Sequence, residues 1–344
     1  MLKWIRRART GANPDRPASP GPATPEPEGF AAAWETLQVA EIGHRTFDRH
    51  PLSDAERSLI ALLEPLLREQ YRNHPPVPAA FPAVAVQVLA LLEDEDPQAS
   101  ALLHLVSQDP ALSLRLLQVA NSALYHRGRD VHDLQAALMK LGVRATGEAV
   151  TALAGRSLYD PGLKAELAVH RPRLRELYRS AMTVAFTARA WSERTGIGHP
   201  HQGFLAGMFH DLGHSLALRA LAGLSLAGKV PKDLPAHALD ALLERTHVDM
   251  GATALAIWNL PAHLVRLCAQ HHEAEVPAWV DRQDLHVLRV VSGLERLARD
   301  PNDPRQAAET RQSVEALCLD RPALRELFIA VKANRELVVE LFPL

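Results

Sequence analysis

Asp96-Pro97, Asp109-Pro110 and Asp303-Pro304 each set a side-chain acceptor directly before a proline. Such a pair reads as a helix start. The carboxylate accepts from the first unpaired backbone N–H groups, and proline at the first helical position gives up an N–H that has no partner there anyway. Apolar residues then follow at helical spacing: after Asp109, Leu112, Leu116, Val119 and Ala120 fall on one face. Ser53-Asp54-Ala55-Glu56 is a capping-box pattern leading into Leu59, Leu62, Leu63 and Leu66. Asp133 opens a further helix with Leu134, Leu138 and Leu141 inside, Lys140 in the last turn and Gly142 as the stop. Strand grammar is nearly absent, since aromatics are 5% of residues and no alternating segment sits between hairpin turns. The expectation is an all-α chain.

At 344 residues and 47% hydrophobic content the chain can bury a large core. A formal charge of −2 gives it no field that would gather nucleic acid. Cys268 and Cys318 form no CxxC pair, which argues against a disulfide framework or zinc ribbon and for two core thiols in a reducing cytosol. No apolar run is long enough to span a bilayer. The start, MLKWIRRART, lacks the apolar stretch of a secretory signal; Trp4 and Ile5 beside Lys3, Arg6, Arg7 and Arg9 suit a solvated tail, or a weak contact with an anionic membrane surface. Six prolines within residues 11–29 read as a linker, and Pro75, Pro76, Pro78 and Pro82 as a second break. The expected organisation is a basic, disordered tail (1–29), a short helical segment (30–74), a central domain (75–275) and a C-terminal helical extension (276–344) that either finishes the core or lies across it.

Histidine carries the chemical signal. There are 17, and His210-Asp211 places an imidazole and a carboxylate side by side; on a helix they point about 100° apart and can share one off-axis cation. His247 and the His271-His272-Glu273 run follow, separated by the helix break Trp258-Asn259-Leu260-Pro261. Imidazole with carboxylate suits divalent iron, manganese or zinc. His214, one turn beyond His210, offers an i, i+4 half-site on the same face. Each residue also has a plain structural role open to it: a satisfied buried polar pair for His210 and Asp211, packing or capping for His247, and capping of a helix C-terminus for His271 and His272.

An ordered series of motifs resembles the HDOD domain family. Asp109-Pro110-Ala111-Leu112 with Asn121-Ser122, the Ala137–Gly142 helix, Gly207–Gly213 around His210-Asp211, and His247, Gly251-Ala252, Trp258, Pro261 and His271-His272 stand in the family's order. The resemblance runs from about residue 78 to 273. It implies a compact helical domain related to the HD and HD-GYP phosphohydrolases, found in bacterial, cytoplasmic signalling proteins without a general catalytic activity.

The resemblance also implies an incomplete ligand set. Ser180 stands where the relatives' first histidine is expected, and Gly293 where their last aspartate is expected. His210, Asp211, His247, His271 and His272 are the surviving candidates for a remnant metal site. Asp109, Pro110, Asn121, Ser122, Gly142, Trp258 and Pro261 are expected to be structural, with Asn121 fixing the chain's exit from its helix. The expected function is a non-catalytic regulatory module reading a partner signalling protein or a small ligand such as a nucleotide. The alternatives are a metal-dependent phosphohydrolase acting on a nucleotide or cyclic dinucleotide, and a membrane-surface scaffold held by the basic N-terminus.

Overall fold

The computed structural model describes residues 26–41, 51–74, 83–94, 96–122, 130–160, 162, 165–276 and 282–341. The basic N-terminal segment, most of the first proline-rich stretch and the second proline cluster lie outside these. Among the described residues every regular element is helical. Among the same residues no helix is long and apolar enough to cross a membrane.

Two helices lead the chain, α1 (Phe30–Val39) and α2 (Asp54–Asn73). Ser53 and Glu56 form the reciprocal capping box that starts α2. Its buried face is Ile60, Leu63, Leu67 and Tyr71, one position off the leucine stripe expected from sequence; Leu62 is exposed. The reason is the partner surface: α2 lies across α11 and α12, and Tyr71 reaches the carbonyl of Met250 on α12.

The first layer comprises α3 (Ala83–Leu92), α4 (Ala99–Ser107), α5 (Pro110–Ala120), α6 (Leu134–Leu141) and α7 (Val143–Gly155), packed on one another. Asp109 caps α5 by accepting from the N–H groups of Ala111 and Leu112, and Leu112, Leu116, Val119 and Ala120 are its buried face. Asp133 caps α6 in the same way, and Gly142, at φ 83°, joins α6 to α7. Two Asp-Pro pairs behave differently. The helix after Asp96-Pro97 starts at Ala99 with Gln98 at its cap, and the one after Asp303-Pro304 starts at Ala307 with Gln306 there. Asp303 instead accepts from both the backbone N–H and the guanidinium of Arg305, in a turn ahead of the helix.

A short 3-10 turn (Arg156–Leu158) and the four-residue α8 (Ala165–Ala168) lead into the second layer: α9 (Arg171–Thr195), α10 (Pro200–Phe209), α11 (Leu212–Leu226), α12 (Ala236–Ile257), α13 (Ala262–Gln270), α14 (Arg282–Arg299), α15 (Ala307–Ala316) and α16 (Arg321–Leu341). The 25-residue α9 is its axis, touching α10, α14 and α16. The C-terminal helices finish this core rather than lying across it: almost the whole of α14 is buried, between α9, α15 and α16. The two thiols part company, with Cys268 buried on α13 and Cys318 exposed just after α15 at φ 52°.

Candidate metal centre

His210 and Asp211 do not share a helix. His210 is the C-terminal cap of α10 and Asp211 the residue before α11, so the pair sits at the break between two helices. This places His214 on a different helix from His210, and the expected same-face i, i+4 pair does not form. The break is held close to α12: a Cβ on Gly213 would come within 1.8 Å of the His247 carbonyl oxygen, so only glycine permits this approach.

Around that contact the structure brings Asp211, His247, His271 and His272 together, with one ligand atom from each within 4.8 Å of the others. His247 comes from mid-α12, and His271 and His272 from the end of α13. Asp211 is the hub. Its Oδ1 lies 3.5 Å from His247 Nε2 and 3.6 Å from His271 Nε2, and its Oδ2 3.4 Å from His210 Nε2.

Each of three rings is aimed by a backbone carbonyl one turn back in the chain. The Nδ1 atoms of His210, His247 and His271 lie 2.8, 3.0 and 2.7 Å from the carbonyls of Gly207, Glu244 and Cys268, each three residues back. A carbonyl only accepts, so Nδ1 carries the proton in each ring and the neutral ring's lone pair is on Nε2. Those three Nε2 atoms and Asp211 Oδ1 are buried with no hydrogen-bond partner. Lone pairs converging on a carboxylate repel one another unless a cation lies between them, so the donor set fits a divalent ion.

Charge follows the same pattern. Burial pushes the His271 pKa down to about 4 and that of His247 well below the usual histidine range, so both rings are neutral at pH 7. Burial alone would raise the Asp211 carboxyl, but His210 and His214 beside it hold it well below its ordinary value. For His210, burial works against charge, yet Asp211 turns the net direction upward. A proton and a cation therefore compete for the gap between His210 and Asp211.

His214 belongs to a second group with Glu244 and His247. The rings of His214 and His247 are stacked, 4.0 Å apart and 11° from parallel. Parallel rings direct their lone pairs side by side rather than at one point. Glu244 Oε1 also lies 3.2 Å from Arg296 and 3.4 Å from Arg305. We therefore read this group as packing and charge pairing, not as a cation site.

The two positions where the resemblance leads one to expect further ligands, Ser180 and Gly293, are filled by protein. Ser180 donates a 2.7 Å hydrogen bond to Glu295 Oε2. Glu295, 1% exposed, is also bound by Arg299 at 3.2 Å and Arg335 at 2.6 Å. At Gly293 a Cβ would meet Thr310 Oγ1 at 1.8 Å, because α15 packs directly on α14 there. No vacancy for a ligand is left at that position. One turn on from Gly293, burial works against the charge of Arg296, but Glu244, Asp211 and Asp303 keep its guanidinium protonated.

The other motif residues lie outside the cluster. Asn121 makes two bonds to the backbone of Val131, at 2.8 and 2.9 Å, and so fixes where the chain leaves α5. Ser122 donates to the Val119 carbonyl at 2.6 Å. Trp258 is buried after α12, and Pro261 precedes α13. Sequence reasoning missed Glu244, Glu295, Arg296, Gln306 and Glu309. Only the Glu244-x-x-His247 spacing, which puts both on one face, could have drawn attention to any of them.

An all-helical protein whose His-Asp pair and further histidines converge in this way falls in the HD-like class. The HDOD domain profile matches residues 79–274, more than half of the chain, and the chain belongs to the HDOD family. An HDOD domain protein of unknown function from Geobacter sulfurreducens has a similar solved structure, with a TM-score of 0.60 at 21% identity, covering 84% of this chain and 99% of that one. A Shewanella amazonensis protein provisionally named a metal-dependent phosphohydrolase superposes with a TM-score of 0.58 at 18% identity over 82% of this chain and all of its own. A Marinobacter aquaeolei protein provisionally named for signal transduction gives 0.54 at 20% identity, over 91% and 65%. At these identities the likeness is one of fold. In sequence, an uncharacterized protein of Treponema pallidum is 24% identical over 197 residues, and the match spans 56% of this chain but only 37% of that relative.

Proposed function

We propose that this chain is a cytoplasmic regulatory HDOD module that retains a cation site and has given up hydrolysis. Asp211, His247 and His271 would hold one divalent iron, manganese or zinc ion, with His210 on the second oxygen of Asp211. The ion would supply a fixed positive charge for an anionic ligand, such as a nucleotide phosphate or a partner's carboxylate. The residues of the chain do the rest: backbone carbonyls one turn back orient the rings, and burial keeps His247 and His271 unprotonated. What carries the reading is the contrast between four unpartnered donor atoms at Asp211 and the filled positions at Ser180 and Gly293. A hydrolytic centre needs fixed ligands and an open position together; here two positions of the expected frame, Ser180 and Gly293, are committed to hydrogen bonding and packing.

The convergence of Nε2 atoms also favours a second reading, a phosphohydrolase working with a reduced ligand set. One experiment separates them. Purified protein is loaded with iron, manganese or zinc and its metal content measured beside His210→Ala/Asp211→Ala, followed by phosphodiesterase assays on nucleotides and cyclic dinucleotides. The expected result is one metal per chain, lost in the variant, and no turnover. Metal-dependent turnover would select the second reading, and absence of bound metal would sink the cation site in both.

A further inference from the structure

Among the four residues gathered at Asp211, His272 is the exception. Its Nε2 lies 3.1 Å from the Gln306 amide nitrogen and its Nδ1 2.9 Å from Glu309 Oε2. A carboxylate only accepts, so Nδ1 carries a proton and Nε2 holds the neutral ring's lone pair, which already accepts from Gln306. Reversing the amide would not free it. The ring would then donate from both nitrogens and have no lone pair at all. His271, its neighbour in sequence, has an Nε2 with no hydrogen-bond partner. Adjacent histidines thus stand in opposite states.

The restraint is a built feature. Gln306 is the N-cap residue of α15 and Glu309 lies three residues on, so both face His272 from one side of the first turn. The Gln306 carbonyl accepts from the Thr310 N–H at 3.0 Å, which fixes that turn. A carboxylate there is also favoured by the helix dipole. The side chains of His272 and Glu309 are each 7% exposed, so the contact is shielded from water. Both restraining residues lie beyond residue 274, where the match to the HDOD profile ends.

Resting on the cation site proposed above, we propose that Gln306 and Glu309 are positioning residues that withhold His272 from the ion. The centre is then held by Asp211, His247 and His271 and keeps one exchangeable position on the α15 side. Three protein ligands with an open place is the arrangement that accepts an outside ligand, whereas a fourth protein ligand closes it. The segment following the HDOD match thereby decides whether the centre is open.

Titration of chelator-stripped full-length protein with cobalt(II) tests this, with affinity and the visible d–d spectrum as readouts. His272→Ala is expected to match the wild type in spectrum and within about twofold in affinity, well short of the effect of losing a ligand. Gln306→Ala/Glu309→Ala is expected to bind about tenfold tighter, with a changed spectrum, and adding His272→Ala is expected to abolish both changes. Loss of about tenfold or more in His272→Ala alone would show that His272 is already a ligand and overturn the proposal. An unchanged spectrum and affinity in the Gln306/Glu309 variant would also overturn it. Both outcomes leave the cation site standing, whereas a wild type that binds no cobalt removes the site and this proposal together. If the double variant does not fold, His272→Ala alone decides.

Discussion

The two flanks of the histidine cluster treat their polar atoms in opposite ways. On the side built by α10 to α13, three Nε2 atoms and a carboxylate oxygen are buried with no hydrogen-bond partner. On the side built by α9, α14 and α16, Ser180, Glu295, Arg299 and Arg335 satisfy one another. Buried polar atoms are costly when unpaired, so the first flank is maintained against its own folding interest unless something from outside completes it. In the second flank the four side chains are paired, and an atom left unpartnered there is the Arg296 Nε, a donor that no cation would complete. One wall is thus closed on itself, while the other presents buried atoms that a ligand would complete.

Restoring the missing aspartate is the harshest way to break this comparison. Gly293→Asp would drive a side chain into Thr310 and add a buried charge, and is expected to destabilise by about 5 kcal/mol in chemical denaturation. A folded variant that took up additional metal would show that the α14 flank is dormant rather than converted. Next in size is Glu295→Ala. Removing this buried carboxylate leaves Ser180 without its acceptor and Arg299 and Arg335 with only Glu176 to share, and a loss of about 3 kcal/mol is expected, with metal content unchanged. If metal content fell in parallel, the two flanks would form one unit after all.

The smallest effect is read from pH. Burial holds His271 in the first flank, and burial with Arg289 and Arg282 holds His286 in the α14–α15 contact, each down to about 4. These folded-state values lie below the ordinary 6.5, so the unfolded chain binds more protons between the two. The stability they contribute is complete above pH 6.5 and is lost as pH falls toward 4, by at most about 3 kcal/mol for each ring. In metal-free protein, His286→Gln is expected to remove roughly half of that acid loss while leaving the His271 part. An acid limb unchanged in the variant would show that His286 takes no part in it.

Much of the fold was legible because its signals are local. Ser53, Asp109 and Asp133 name their helix starts within four residues, and the stripe after Asp109 is the buried face found. Asp96-Pro97 and Asp303-Pro304 were misleading because each stands three or four residues ahead of its helix, and Asp303 turns its carboxylate to the Arg305 N–H and guanidinium instead. The α2 stripe slipped by one position because periodicity gives a face, while the helices beneath it choose which edge is covered. At the centre, the residue types of the cluster were readable, since His210-Asp211, His247 and His271-His272 announce themselves by composition. Their aim was not. It depends on the break at Asp211 and on pairings such as His272 with Glu309, 37 residues apart, for which no spacing rule exists.

The contact at Gly213 limits how such a protein can change. With the His247 carbonyl pressed against that glycine, α11 and α12 cannot be respaced by gradual drift, because any side chain there pries apart the residues flanking Asp211 and His247. Ancestry can therefore act on this pocket by swapping what the helices carry but not by sliding them.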